Sequence, residues 1–196
     1  MAVTVHDTAV VEEDVELGDG TRIWHRAQVR AGARIGRDCV IGGGAFVDTG
    51  VVVGDGCKIQ NNVLLYAPAV LGPGVFLGPG VIITNDRVPR AVNPDGSIKQ
   101  GADWQPSRVT IGRGAAVGAG AVVVAGCAIG DWALIGAGTV VTADVAPFAL
   151  VVGNPGRRIG WVGRTGGRLV RDGTGWRCDA TGEQFAEVGD RIEPTS

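Results

Sequence analysis

A large apolar side chain returns at every sixth position along the first part of the chain. Counting from Val5, the series runs Val11, Leu17, Ile23, Val29, Ile35, Ile41, Val47, Val53, Ile59, Leu65, Leu71, Leu77 and Ile83. Four residues after each stands a small or β-branched one, as at Ala9, Val15, Thr21, Ala27, Ala33, Cys39, Ala45 and Cys57. The same register resumes at Ile111 and continues through Val117, Val123, Ile129, Ile135 and Val141. A period of six matches neither the 3.6-residue repeat of a helix nor the two-residue alternation of a strand. It matches a short strand and a sharp corner, with one large side chain inward per strand and one small side chain tucked into each corner. Three such units predict a three-sided coil of eighteen residues, with coils stacked at the ~4.8 Å spacing of paired strands. Glycine after the large residue, as at Gly18, Gly36 and Gly54, suits corners that a Cβ would obstruct. A β-sandwich would instead show irregular strand lengths and alternating polar positions.

The pattern breaks once. Ile83 and Ile111 are 28 positions apart, which is no multiple of six. The polar stretch between them, punctuated by Pro and Gly, predicts a loop over 85–108 thrown out of one corner, and loops on rigid scaffolds carry binding groups. Arg87, Arg90, Lys99 and Arg108 supply it with cations, opposed by Asp86, Asp95 and Asp103. A second change comes after Val145, where Ala146-Pro147-Phe148 ends the repeat. The expected division is a β-helix over 1–160 and a small β-hairpin cap over 161–196 that shields the end of the stack.

Composition narrows the classes. The chain has 196 residues, 34 of them Gly, with 45% hydrophobic and only 5% aromatic residues, which suits a narrow core. A net charge of −2 disfavours nucleic-acid and membrane-surface partners, which need a basic face. No basic, apolar leader is visible at the start, so a cytoplasmic location is expected. The even count of four cysteines suggests disulfides. The repeat, however, places Cys39, Cys57 and Cys127 at the small inward position, which favours reduced thiols. Only Cys178 lies in the tail, so no zinc site is expected there.

The repeat resembles the hexapeptide-repeat acyltransferases, whose fold is a left-handed parallel β-helix that trimerises. Ile23-Trp-His25, Lys58-Ile-Gln-Asn-Asn-Val63, Gly78-Pro79, Ile83-Thr-Asn85 and Val151-Val-Gly-Asn-Pro-Gly-Arg157 are similar to segments of the sugar-nucleotide N-acetyltransferases. That resemblance implies acetyl-CoA as acetyl donor, no metal, a homotrimer, and an acceptor amine, the 3-amino group, on a UDP- or dTDP-linked deoxyhexose. It implies that Asn85 hydrogen-bonds the attacking amine, with Asp86 beside it as a proton acceptor. The competing reading of Asn85 is a turn residue ending a strand.

Residue chemistry bears on the choice of acceptor. A sugar hydroxyl needs a strong base, and the only histidines are His6 and His25, both far from the loop in sequence. A sugar amine, with a pKa near the ~8 of an α-amino group, needs only to arrive neutral and be oriented. N-acetylation is therefore expected over O-acetylation. His25 is the runner-up base, supplied by a neighbouring subunit, because it is three coils and one strand from Asn85 and falls at another corner. Asn61, Asn62 and Tyr66 are candidates for orienting the sugar or nucleotide, with Arg87 and Arg90 for its anionic groups. Ala119 and Ala137, eighteen residues apart, predict a smooth edge for the pantetheine arm, and Arg157 and Arg158 can pair with CoA phosphates. Rival readings are a hexapeptide O-acetyltransferase, a metalloprotein like the γ-carbonic anhydrases, and a non-catalytic trimeric scaffold.

Overall fold

The structure, a computed structural model, describes residues 1–195. Within them, twenty strands of two residues each run from Thr4–Val5 to Val140–Val141. From the fourth strand on, the first residue faces outward and the second is buried: Arg22 is exposed and Ile23 buried, Lys58 exposed and Ile59 buried. The pairing is parallel at a step of eighteen, Ile23 on Ile41 and Ile41 on Ile59. Every third strand therefore shares a sheet, and the three sheets form the faces of a prism. The first face has nine strands, the second seven and the third six.

The sixfold series is the core. Ile41, Ile59, Leu65, Leu77 and Ile83 are wholly buried, and so are the small corner residues Ala27, Ala33, Val63 and Ala121. Burying one such large side chain contributes roughly 1.5–3 kcal/mol, so the stack gains stability coil by coil. All four cysteines are free and buried. The Sγ of Cys39 lies 3.2 Å from Gly54 O, and that of Cys57 3.2 Å from Gly72 O, as hydrogen-bonded small core groups.

The break in the repeat is an insertion that leaves the register intact. Leu71 pairs with Ile111 and Ile83 with Val123, each 40 positions on, or 22 more than the usual eighteen. The segment ending in Ile82–Ile83 belongs to the second face and Thr110–Ile111 to the third, so the loop leaves at the corner between them. The sole helical turn among the described residues, Gly101–Asp103, lies in this loop.

Beyond the last coil, Ala149–Val152 joins the first face and Arg157–Trp161 pairs antiparallel with it. The tail is larger than the single hairpin expected. Val170–Asp172, Gly175–Arg177, Gln184–Val188 and Arg191–Pro194 form a four-stranded antiparallel sheet. It docks through Phe185, whose ring is 5.0 Å from that of Phe148, and Leu169, Cys178 and Ile192 share the same core. Gly-bounded pairs such as Gly182 and Gly189 close two further turns that composition alone did not separate.

Candidate active site

The corner between the second and third faces carries the loop. Its first positions, in successive coils, are Glu12, Arg30, Asp48, Tyr66, Thr84, Val124 and Thr142, and its second positions include Ala31, Ala67, Asn85, Ala125 and Ala143. Side chains at alternate first positions reach up one coil to cap a backbone N–H. Ala31 N donates to Glu12 Oε2 at 2.9 Å, Ala67 N to Asp48 Oδ2 at 3.2 Å, and Ala125 N to Thr84 Oγ1 at 2.9 Å.

Asn85 is the neck of the loop. Its backbone carbonyl accepts Ser107 N at 2.8 Å, which closes the excursion. Its side-chain Nδ2 donates to Ala67 O on the coil below at 2.7 Å. A carbonyl can only accept, so the amide nitrogen faces Ala67 and Oδ1 faces away. No protein donor among the described residues occupies Oδ1. Ala125, the next residue up the corner, is fully buried, whereas Ala143 above it is exposed. Arg87 and Ser107 pass over Gly126. The loop neck thus roofs the corner directly above Asn85.

The other loop candidates lie around this neck. Asp86 spends Oδ1 on Val88 N at 2.9 Å in a local turn. Arg87 and Arg90 are exposed, and among the described residues neither they nor Lys99 and Arg108 form an ion pair. The outer part of the loop is ordered by its own bonds. Val92 bridges Ile98, Asp103 accepts Gln100 N at 2.7 Å, and Asp95 accepts Ser97 N and Oγ. The Gln100 N–H and the Asn93 amide hold the Asp103 carboxyl below its usual range, and the Ser97 hydroxyl does the same for Asp95. A depressed carboxyl pKa contributes stability above the unfolded value of about 4, lost as pH falls through the lower folded value. Protection of the loop amides, measured relative to their intrinsic exchange rates at each pH, is therefore expected to hold from neutral pH to about 4 and to fall only below it. Protection lost already near pH 6 would mean that other groups hold the loop.

Tyr66 stands on the same corner, one coil below Thr84, with its ring 5.6 Å from Phe46. Asn61 and Asn62 do not. They occupy the corner between the first and second faces, because 24 residues from Asn85 is one coil plus one strand. There Asn61 Oδ1 accepts Gly43 N at 2.9 Å. His25, Pro79, Ala119 and Ala137 share that column with Asn61. The His25 ring lies against Gly43 and 5.7 Å from His6, three coils below Asn85, or roughly 14 Å along the axis. Within one chain His25, Ala119 and Ala137 therefore line a different edge from Asn85.

A cavity of about 650 Å3 opens between the last coil and the C-terminal sheet. Thr142, Ala143 and Asp144, two coils above Asn85 on its own corner, line it together with Arg158, Asp190 and Arg191. Arg158 lies 4.3 Å over the Trp161 ring and donates to Asp190 O. Arg157 is not part of this wall and bonds Gly156 O. The residues that counting missed are Asp48, Thr84 and Ala125. Stepping by eighteen from Thr84 and Asn85 finds the first, through Tyr66, whereas Ala125 needs the insertion length as well.

Prism, extruded neck and stacked corners together describe a hexapeptide-repeat transferase scaffold. Stretches 14–49, 50–85 and 108–143 match the family described as bacterial transferase hexapeptide (six repeats), and 32–67 matches the hexapeptide repeat of succinyl-transferase. These matches cover more than half of the chain, which belongs to the hexapeptide transferase family. They stop at residue 85 and restart at 108, the two sides of the loop.

Among particular relatives, the dTDP-3-amino-3,6-dideoxy-alpha-D-galactopyranose 3-N-acetyltransferase of Aneurinibacillus thermoaerophilus is 46% identical over 55 residues, 28% of this chain and 29% of that one. The bifunctional protein GlmU of Alkalilimnicola ehrlichii is 38% identical over 155 residues, 77% of this chain and 33% of that one. The chain thus spans about a third of the length of these curated relatives. LpxA, a UDP-N-acetylglucosamine acyltransferase from Bacteroides fragilis, shares the fold with a TM-score of 0.66 at 15% identity, over 82% of this chain and 61% of that one. No helix among the described residues is long and apolar enough to cross a membrane.

Proposed function

We propose that the protein transfers the acetyl group of acetyl-CoA to an amine, the 3-amino group, of a UDP- or dTDP-linked deoxyhexose. The observation that carries this reading is the Asn85 amide, whose Nδ2 is anchored by one N–H to Ala67 O and whose Oδ1 is left to accept. An acceptor oxygen there can take one N–H of a neutral amine and turn the lone pair toward the thioester carbonyl. The amine nitrogen attacks that carbon, a C–N bond forms, and collapse of the tetrahedral intermediate breaks the C–S bond. The surplus amine proton leaves with the departing sulfur, so the products are the amide and the free thiol. No histidine is near Asn85 within the chain, and an amine near pKa ~8 needs no strong base. In this reading Asp86, the next residue along the chain, receives a proton in passing.

The relative from A. thermoaerophilus, whose name describes 3-N-acetylation of a dTDP-linked amino sugar, supports the acceptor class. The unpaired Arg87 and Arg90 suit the diphosphate. Arg158 and Arg191, at the cavity two coils above Asn85, suit the CoA phosphates. We further propose a homotrimer. The second face carries an outward row of Phe46, Leu64, Ile82, Val122 and Val140, all half-buried, and the loop exposes Val88 and Ile98. A neighbouring protomer packed there would bring its own His25–Ala119–Ala137 edge toward the loop.

The test is thiol release over a panel of UDP- and dTDP-linked sugars. Turnover confined to amine-bearing members is expected. A hydroxyl acceptor that outperforms them would establish O-acetylation instead, and absence of CoA binding by calorimetry would leave only a scaffold.

A further inference from the structure

Asn85 sits between two side chains to which the reading above gives no task. On the coils below, Asp48 is half-buried, and each of its oxygens accepts a backbone donor, Thr49 N at 2.8 Å and Ala67 N at 3.2 Å. Ala67 is also the residue whose carbonyl receives Asn85 Nδ2 at 2.7 Å. A single residue therefore links the Asp48 carboxylate to the Asn85 amide. From above, Thr84 Oγ1 donates to Val123 O at 3.1 Å and accepts Ala125 N at 2.9 Å. This ties the residue before Asn85 to the next coil, under the loop neck.

Corner geometry alone does not call for these side chains, since equivalent positions hold Arg30, Tyr66 and Val124. Glu12 caps Ala31 N in the same way as Asp48 caps Ala67 N, but Arg30 neutralises it at 2.6 Å. Asp48 forms no ion pair among the described residues, so its partial burial is offset by backbone donors alone. The consequence is chemical. An amide free to rotate would turn its NH2 toward the substrate and donate to the amine lone pair that has to attack. Held at Ala67 O, its nitrogen stays on the coil below and Oδ1 is the atom turned toward the acceptor.

We infer that Asp48 and Thr84 are positioning residues for Asn85, gripping its corner from below and above so that Oδ1 faces the acceptor amine. This rests on the proposed amine-orienting role of Asn85. The test combines kinetics with 15N NMR of the Asn85 side-chain amide, assigned by its loss in Asn85→Ala. Asp48→Ala and Thr84→Val are each expected to lower kcat about 10-fold, with KM for both substrates changed by less than about 2-fold. Thr84→Ser, which keeps the hydroxyl, restores most of the loss. Asp48→Ala added to Asn85→Ala costs nothing more, because its effect passes through that amide. Asp48→Ala also shifts the Asn85 amide signals and speeds their exchange with solvent relative to the parent. Unmoved amide signals, or losses that multiply in the double variant, overturn the inference. If the signals move while Asn85→Ala leaves turnover intact, the grip is real and the amine-orienting role falls. Should Asp48→Ala not fold, the Thr84→Val and Thr84→Ser pair decides by the same readouts.

Discussion

If Asn85 orients the acceptor amine as proposed, Asn85→Ala is expected to lower turnover of an amino-sugar nucleotide by about 100-fold or more, the cost of losing orientation at the reacting centre. The stack should survive it. Among the described residues the one side-chain bond removed is that to Ala67 O, on a half-buried residue, so the stability loss is about 1 kcal/mol. Circular dichroism and sedimentation of the variant should match the parent, and CoA should still bind. Undiminished turnover would remove the neck from the chemistry and return Asn85 to the role of a turn residue.

The largest effect on stability is expected from two glycines a residue apart. At Gly118 an added Cβ would come within 2.4 Å of Ala137 N and 2.8 Å of Ala137 Cα, both backbone of the next coil. Relief requires the coils to part, against bonds such as Gly118 N to Ile135 O at 2.8 Å. Gly118→Ala should therefore cost about 3 kcal/mol, at the upper end for overpacking. Gly120 has φ +66° with nothing near its missing Cβ, so Gly120→Ala meets only left-handed strain of about 1–2 kcal/mol. Denaturant unfolding of the two variants side by side checks the order. Equal losses would mean that coil spacing is softer than the contacts imply.

The prism was legible because its core is periodic. One large side chain at every sixth position, repeated from Val5 to Ile83, points to a three-sided coil, and the 28-position gap before Ile111 marks the loop without any structure. The geometry of the candidate site was legible only in part. Asn85 stands out through resemblance and position, but its partners depend on which corner each residue occupies. Asn61 looks adjacent by count and is not, since a six-residue remainder moves it to another edge. Asp48 and Thr84 escaped notice because their task is to satisfy backbone N–H groups, a role that residue type alone does not reveal. The tail was legible least. Its strands pair antiparallel around Phe185 and Ile192, with no sixfold pattern to announce them.

One consequence follows from the way the excursion closes on Ser107 N and Asn85 O while Ile83 and Val123 stay in step. What lies outside that pinch can lengthen, shorten or be exchanged for another sequence without disturbing a single rung. The durability of the column is then independent of what the loop carries, and a graft between the two sides of the pinch should leave melting behaviour with the host.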